Sequence, residues 1–588
     1  MITDEQHKKF IISTVTEKVI VAVAQAHNGI ELINLYWHYG YFVPKPIDGF
    51  SLSSLPILKE IPSFSSSISE VMRPVSKNSH GVIKLRNSDN EITSYEQYSF
   101  NSQSIILYVG QKDWVFSDFR VVFSGYFDTA GLQRTGDYEY TLKLLGVENL
   151  MDVPFQRRQE NNKEIIQCIG TVFNVEPVLV DKANHEYRVE QYLYKDILEM
   201  RWNGEPVVEG VAYKIGEAGT PRLYADQGLV RLITNPATSK ITCDIQGRLV
   251  NSDFKPDVTG TQINKASDIV RAILYTKTAI QEIQIDDTSF DKLNISRPET
   301  LGLYDNKGSV SDQVAKILSS VFSFIRFNKA NSKLELKLFQ IPEHSDIPDW
   351  ILEASDFQSI TFVTSQPAPK SITVGYRQNY TIQTSGLSGT IIDNDTELVD
   401  LYGRENTTVT YSNTIFESTI TLVQWQSGNL IKYTFTDNPA TVILGMVLSV
   451  FDCAETLNNG SFVVVSTGTN YIIVTNTNRS DAVADETTGG IADVMPFNFI
   501  NTTEKKTIDT LIHGSSDADD IAEEIATAFE SGTEELKVVG VFSKIVLMNI
   551  GDTVLVKTDK AGLESTTCII TGINGGLFQG DINIIRKQ

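Results

Sequence analysis

The chain has only four cysteines in 588 residues, and Cys168, Cys243, Cys453 and Cys568 lie so far apart that no CxxC pair exists. That spacing excludes a zinc ribbon and a redox dithiol, and it reads as free thiols in a protein folded in a reducing cytoplasm. Histidine is scarce too. The seven are dispersed, and none falls at the i, i+4 spacing that puts two imidazoles on one helical face, so the common helical zinc site is excluded. Long hydrophobic runs are missing. The longest, 440–451, is broken by Thr441, Gly445 and Ser449 and falls short of the ~20 residues a membrane helix needs. The first nine residues are polar and of mixed charge, so neither a signal peptide nor a membrane anchor is expected. Cations are outnumbered, with 50 Lys and Arg against 73 Asp and Glu, a net charge of −23 that repels phosphate backbones and anionic headgroups. Sequence-specific nucleic-acid binding is not expected.

What is present is an ordinary globular composition, 41% hydrophobic and 21% charged, so the chain can bury several cores. At about 150 residues per domain its length suggests roughly four. From Ile105 to Leu145 the pattern has period two, which sends successive side chains to opposite faces of a sheet. Phe119, Val121, Phe123 and Phe127 alternate with polar residues. After a turn at Thr135-Gly136-Asp137, so do Tyr138, Tyr140, Leu142 and Leu144, which predicts two long paired strands. Asn203-Gly204 marks a tight turn, and Gly216, Gly219, Pro221 and Gly228 punctuate further short strands ending near Ile245.

Helical spacing occurs three times. Over Ala266 to Tyr275, Ile269, Val270, Ile273 and Leu274 share a face; over Ser311 to Phe322, so do Val314, Ile317, Leu318, Val321 and Phe322, with Ser311 and Asp312 suited to the helix start. Over Asp517 to Phe529, Ala518, Ile521, Ala522, Ile525 and Phe529 line one side and acids the other, a face that is either solvated or open to a cationic partner. A hairpin is expected from Phe324 to Leu338, turning at Asn328 to Ser332.

Between Thr381 and Ile500 the composition shifts to 13 acids against three cations, with about twenty threonines, which marks a separate β module. Its strand-like runs are Leu430 to Phe435, Val442 to Val450, Ser461 to Ser466 and Tyr471 to Thr475. The expected fold class is mainly β with a few helices (α+β), built of several β-barrel or sandwich domains with an inserted β module. The expected units are 1–155, an N-terminal β domain; 156–250, a second β domain; 251–385, an α+β domain; 386–505, the acidic Thr-rich module; and 506–588, a helix and barrel strands completing 251–385.

Catalytic chemistry is hard to find. Cys453, with His513 sixty residues on, superficially offers a thiol nucleophile and a base, but Cys453 closes a strand instead of opening a helix. No Gly-x-Ser-x-Gly elbow or phosphate-cradling loop occurs; the nearest string, Gly386-Leu387-Ser388-Gly389, has the wrong spacing. Asp393, Asp395 and Glu397 alternate like the start of a calcium loop, yet a Gly at the sixth position is lacking and Arg404 stands where a bidentate Glu belongs, so a solvated acidic turn is the better reading. The aromatic cluster Tyr36, Trp37, His38, Tyr39 and Tyr41 reads as a strand with aromatics on both faces, or else as a stacking surface for sugars or an interface. Neither an enzyme, a cofactor nor a structural metal is expected.

Several separated segments form a recognisable order: Val19 to Val23 with Leu35 to Tyr41; Leu142 to Asn149 and Asp152-Val153-Pro154; Gly170-Thr171-Val172-Phe173-Asn174-Val175-Glu176-Pro177-Val178-Leu179-Val180-Asp181 with Tyr187-Arg188-Val189; Pro236, Ile241, Asp244 and Gly247; Val374-Gly375-Tyr376 with Asn379 and Tyr380; and Met548 to Val554 with its Gly551-Asp552 turn. In this order they resemble the central tail-tip or baseplate hub proteins of long-tailed bacteriophages, related prophages and gene transfer agents. The resemblance covers most of the chain outside roughly 386–505. It implies Gly170, Asn174, Pro177, Asp181, Tyr187, Tyr376, Gly551 and Asp552 as structural motif residues, none of them catalytic. It further implies β-barrels arranged as a homotrimer around the tail axis, with tube or distal tail protein, tape measure and fibres as partners in host attachment and genome ejection. The expected location is the virion tail tip, after assembly in the host cytoplasm. The 386–505 module departs from the family pattern. Two other readings stand beside this one: a tail-associated cell-wall or capsule hydrolase, and a glycan-binding adhesin.

Overall fold

The computed structural model describes residues 3–587 except 14–16, 40–54, 88–89, 91, 156–157, 161–162, 166, 191–193, 210–212, 215–228, 234–239, 258–259, 306, 330, 344–345, 383–405, 413–415, 441, 443, 478–484, 488–489, 496–504, 559–562 and 564–565. The fold is mainly β, with five α-helices among the described residues: α1 (Asp4–Ile12), α2 (Ala266–Lys277), α3 (Asp287–Ser296), α4 (Val310–Ser320) and α5 (Ser515–Ala528). None is long and apolar enough to cross a membrane.

The first sheet runs Val82–Arg86, Leu55–Glu60, Leu32–Tyr39, Lys18–His27, Ser104–Gln111, Arg120–Phe127, Glu139–Gly146, Gln133–Gly136, and closes on itself because Val82–Arg86 also pairs with Glu139–Gly146. Its interior holds Trp37, Phe100, Phe127, Tyr140 and Leu142. Two details differ from the alternation read in the sequence. Leu107 pairs with Phe123 but Tyr108 with Val121, so Val122 is an extra residue in a bulge, and both Val122 and Phe123 are buried. The turn near Gly136 joins Gln133–Gly136 to Glu139–Gly146, whereas Arg120–Phe127 meets the latter over only three residues, and Tyr138 sits in the turn, 63% exposed.

The second sheet runs Glu205–Val207, Tyr194–Trp202, Ile241–Val250, Gln167–Val175, Gly302–Asp305. Asn203 and Gly204 both take positive φ in its tight hairpin, as an Asn-Gly pair permits at little cost. Helices α2 and α4 bury most of the predicted stripes in a core shared with the hairpin Ser323–Asn328 and Lys333–Leu338, but α4 ends at Ser320, and Phe322, at φ +52, packs instead against Phe339 and Phe529. The N-cap of α4 is Ser309, not Ser311, because the Ser309 and Asp312 side chains each accept the other's backbone N–H.

The flanks of the acidic segment make one sheet: Trp350–Leu352, Thr553–Val556, Thr567–Gly575, Gln579–Lys587, Thr533–Phe542, Ser359–Gln366. The hairpin Phe64–Ser69 and Val75–His80, from the expected 1–155 unit, attaches to Thr567–Gly575. Ser371–Tyr376 pairs with Thr407–Ser412 on one side and Lys505–Asp509 on the other, so 407–412 belongs to this body, not to the expected 386–505 module. Between them Phe416–Ser427, Leu430–Phe435, Tyr471–Thr475, Gly460–Gly468, Val447–Phe451 and Ile491–Met495 close a six-stranded barrel around Ile431, Tyr433, Val450 and Val474. The strand expected from Val442 starts only at Val447, because exposed Leu444 and positive-φ Gly445 form a turn before it.

Candidate functional site

Gly170 is where the strand Gln167–Val175 changes partner. Residues 167–170 pair with Gly302–Asp305, and from Thr171 onward the strand pairs with Ile241–Val250. The change needs φ +77 at Gly170, and a Cβ there would run into the Leu301 carbonyl oxygen. Four residues on, the strand gains one residue relative to its partner, and Asn174 takes φ +50. That bulge turns Asn174 inward: its backbone N–H donates to Asp244 Oδ1 at 2.7 Å and its side-chain amide to the Thr381 carbonyl at 2.6 Å. Asp244 also accepts a fork from Arg201, at 2.8 Å and 2.5 Å, with both side chains almost wholly buried.

The segment after Tyr376 closes on the same spot. Phe173 bridges Asn379, the Tyr304 backbone N–H donates to the Tyr380 hydroxyl at 3.2 Å, and that hydroxyl donates to the Gly302 carbonyl at 3.3 Å. The Arg377 guanidinium lies 4.5 Å from the Phe173 ring, and the His513 ring 4.7 Å from it. Burial, then the Arg377 cation, hold the His513 imidazole below its usual 6.5. His513 donates its backbone N–H to Thr300 at 2.8 Å, and Asp517 of α5 accepts the Thr300 N–H at 3.0 Å. Stretches near 170, 244, 300, 380 and 513 therefore meet in one buried junction. Beside it Arg248 and Glu190, both fully buried, pair at 3.0 Å, Arg248 donates to Gln167 at 2.8 Å, and Glu190 accepts the Cys168 N–H.

The remaining motif residues lie elsewhere. Pro177 is buried at the corner between Gln167–Val175 and Val178–Asp181, where its missing N–H ends the ladder. Asp181 accepts from the Asn184 side chain at 2.8 Å and from the Ala183 and Asn184 N–H groups, which hold its carboxyl below the usual range and shape the turn to Glu186–Arg188. Tyr187 packs half-buried against the apolar residues of the second sheet, among them Val172 and Met200, and Tyr376 ends its strand against the core of the C-terminal sheet. Gly551 and Asp552 form a second junction. Asp552 accepts from Arg326 at 2.7 Å, from the Trp350 indole at 3.0 Å and from the Asn549 N–H at 3.0 Å. Arg326 also pairs with Glu335, and a Cβ on Gly551 (φ +80) would meet the Phe324 ring. Burial pulls the nearby Lys329 amine down to about 8.

This arrangement offers little to a substrate. Burial raises the Cys168 and Cys243 thiols and pushes Cys568 up to about 12, so these sulfurs stay protonated and are not nucleophiles. Cys453 lies in the barrel core while His513 lies at the first junction, so the superficial thiol–imidazole pair is not brought together. Among the described residues no group of three potential metal ligands occurs; Asp393, Asp395, Glu397, Arg404, Gly386 and Tyr41 lie outside the described residues, as do Gly216, Pro221 and Pro236. Trp37 is core, against Tyr95, Phe100 and Phe127. A surface pocket of about 510 Å³ contains Arg271, which lies 4.9 Å from the Phe254 ring and donates to Asp291 at 3.1 Å. The sequence reading missed Arg201, Arg248 and Arg326; the available signal is an arginine in an otherwise apolar run of a strand, such as Met200-Arg201-Trp202.

No family model and no curated protein matches the chain. Among its structural neighbours are two tail proteins and a chain of a gene transfer agent virion. It is similar to a tail protein from Neisseria meningitidis MC58 at 9% identity and a TM-score of 0.34, over 97% of this chain and 96% of that one. It is similar to the 43 kDa tail protein of prophage MuSo2 from Shewanella oneidensis at 8% and 0.30, over 97% and 98%. To a chain of the native gene transfer agent virion the values are 9% and 0.35, over 75% and 92%.

Proposed function

We propose that the chain is a structural virion protein, the central hub of a phage-type tail tip or baseplate, closing the tail tube and holding fibre or receptor-binding proteins. The observation that carries this reading is convergence. The resemblance rests on separate segments at 170–181, 241–247 and 374–380, and parts of all three fold onto one buried junction. Short motifs that matched by chance would have no reason to meet. The junction is made of buried ion pairs and backbone bonds that tie distant stretches of chain together, which suits a part that keeps its shape and does no chemistry, so the protein is read as a non-enzyme.

In this reading 1–155, 156–250, 251–385 and 506–588, together with the strand Thr407–Ser412, build the hub body, with the barrel from Phe416 to Met495 as its decoration. Copies associate as a trimer around the tail axis, and contact with the host surface shifts their packing so that tape measure and DNA leave. Light scattering on the purified chain tests this. The expected mass is three times the 65.4 kDa chain, about 196 kDa. A monomer at every concentration contradicts a hub that closes by itself.

A further inference from the structure

Four Asn-Gly pairs occur in the chain, at 28–29, 203–204, 459–460 and 574–575. Such a pair is where a chain most readily attacks itself, because a glycine has no Cβ to keep its main-chain nitrogen away from the side-chain amide before it. In three of the four the fold holds that amide or its main chain in place. Asn203 Oδ1 accepts the Lys240 N–H at 2.8 Å across a closed hairpin. The Asn459 side chain is clamped by Cys453, accepting its N–H at 2.8 Å and donating to its carbonyl at 2.9 Å. Asn574 and Gly575 sit inside a sheet, opposite Asp581 and Gly580 on one side and Ser65 and Phe64 on the other.

The first pair lies at the tip of the hairpin that joins Lys18–His27 to Leu32–Tyr39, and its surroundings are different. The Gly29 N–H donates to His27 Nδ1 at 3.1 Å, and Asn28 Oδ1 accepts the N–H groups of Ile30 and Glu31, both at 2.9 Å. Gly29 takes φ +95, no atom lies within 4 Å of where its Cβ would stand, and Ile30 beside it is 89% exposed, so water reaches the tip. A base on the attacking N–H and two donors on the carbonyl oxygen that gains charge are the parts an acyl-transfer site needs.

We propose that Asn28 is a self-modification site, at which the folded hairpin cyclises Asn28-Gly29 and water opens the ring to aspartate or isoaspartate. The Gly29 nitrogen bonds to Asn28 Cγ while its proton passes to His27 Nδ1, and the oxygen that becomes negative is held by the Ile30 and Glu31 N–H groups. The imidazolium then returns the proton to the side-chain nitrogen, the carbon–nitrogen bond breaks, ammonia leaves and a cyclic imide remains. Solvent water adds to one of its two carbonyl carbons and breaks that carbon's bond to the ring nitrogen; nothing is oxidised or reduced. Either product places a new carboxylate at the tip. Isoaspartate also routes the main chain through the side-chain carbon, so the bond from the Asn28 N–H to the Glu31 carbonyl, 3.1 Å here, has to shift.

The test incubates the full chain at neutral pH, folded and in urea, and follows each Asn-Gly pair by peptide mass mapping, with isoaspartate methyltransferase as a second readout. Position 28 is expected to convert faster in the folded chain than in urea, and positions 203, 459 and 574 more slowly. His27→Ala is expected to slow conversion at 28 by about 100-fold, the low end for a positioned general base, while the other three stay slow because the fold is kept. Conversion at 28 that is no faster folded than in urea overturns the proposal, and that comparison needs no variant. An unchanged rate in folded His27→Ala overturns it as well.

Discussion

The buried junction and the six-stranded barrel are held together in opposite ways. At the junction, Arg201 meets Asp244 across 43 residues, Asn174 meets Asp244 across 70, and Asn174 meets Thr381 across 207. These contacts are charged or polar, buried and specific, and each lets go of a distant stretch of chain if lost. The barrel's apolar core draws on residues from Phe416 to Val494 alone, and two of its buried polar groups find partners within the same stretch: the Tyr433 hydroxyl donates to the Asn458 carbonyl at 2.8 Å and the Asn476 amide to the Leu457 carbonyl at 2.8 Å. Its tie to the body runs through Lys370, which pairs with buried Asp493 and lies 5.6 Å from the Phe451 ring. A body woven from remote segments must keep its polar knots, whereas a barrel closed on itself can be inserted at one point without redrawing the rest.

The largest expected effect is at the knot. Asp244→Ala leaves the Arg201 guanidinium buried without its fork and should cost about 3–5 kcal/mol. Calorimetry should show the loss in the body transition and not in the barrel transition. Gly170→Ala should cost the body about 3 kcal/mol, the upper end for a strained backbone, since its Cβ meets a main-chain carbonyl. In denaturant titration that appears as a lower midpoint with the same slope. Lys370→Ala leaves the Asp493 carboxylate buried beside the barrel wall and should cost about 1–3 kcal/mol, this time in the barrel transition. The fragment 416–495 made alone should melt cooperatively; if it is unfolded, the contrast between the two regions fails.

The smallest effect concerns pH. The folded His513 titrates below its unfolded value of 6.5, so the unfolded chain takes up the proton first as pH falls. Stability is therefore full above 6.5 and declines as pH drops from there toward the folded value. His513→Gln should flatten that slope in melts between pH 7 and 5.

Much of the local structure was legible in the sequence, because alternation and helical stripes are local signals. The helices at 266, 310 and 515, the hairpin of 323–338 and the Asn203-Gly204 turn all rest on residues within a few positions of one another. Two helices were missed for the same reason. Helix α1 announces itself only through the Thr3–Gln6 capping box, and α3 buries just Phe290 and Leu293. What local patterns could not reveal is pairing at a distance. Nothing in Phe64–Ser69 indicates that it will join a strand five hundred residues later, and nothing around Arg201 names Asp244 as its partner. The resemblance pointed to Gly170 and Asn174, but the junction they help build was not legible, since it depends on the partner change at Gly170 and the bulge at Asn174.

The central claim is that this chain is a structural part of a tail tip. Gold-labelled antibody against the chain, applied to particles from cells that carry its gene, tests it most directly in the electron microscope. The account predicts label at the tip of the tail, one cluster per particle. Label along the whole tail, on the capsid, or on no particle would contradict it.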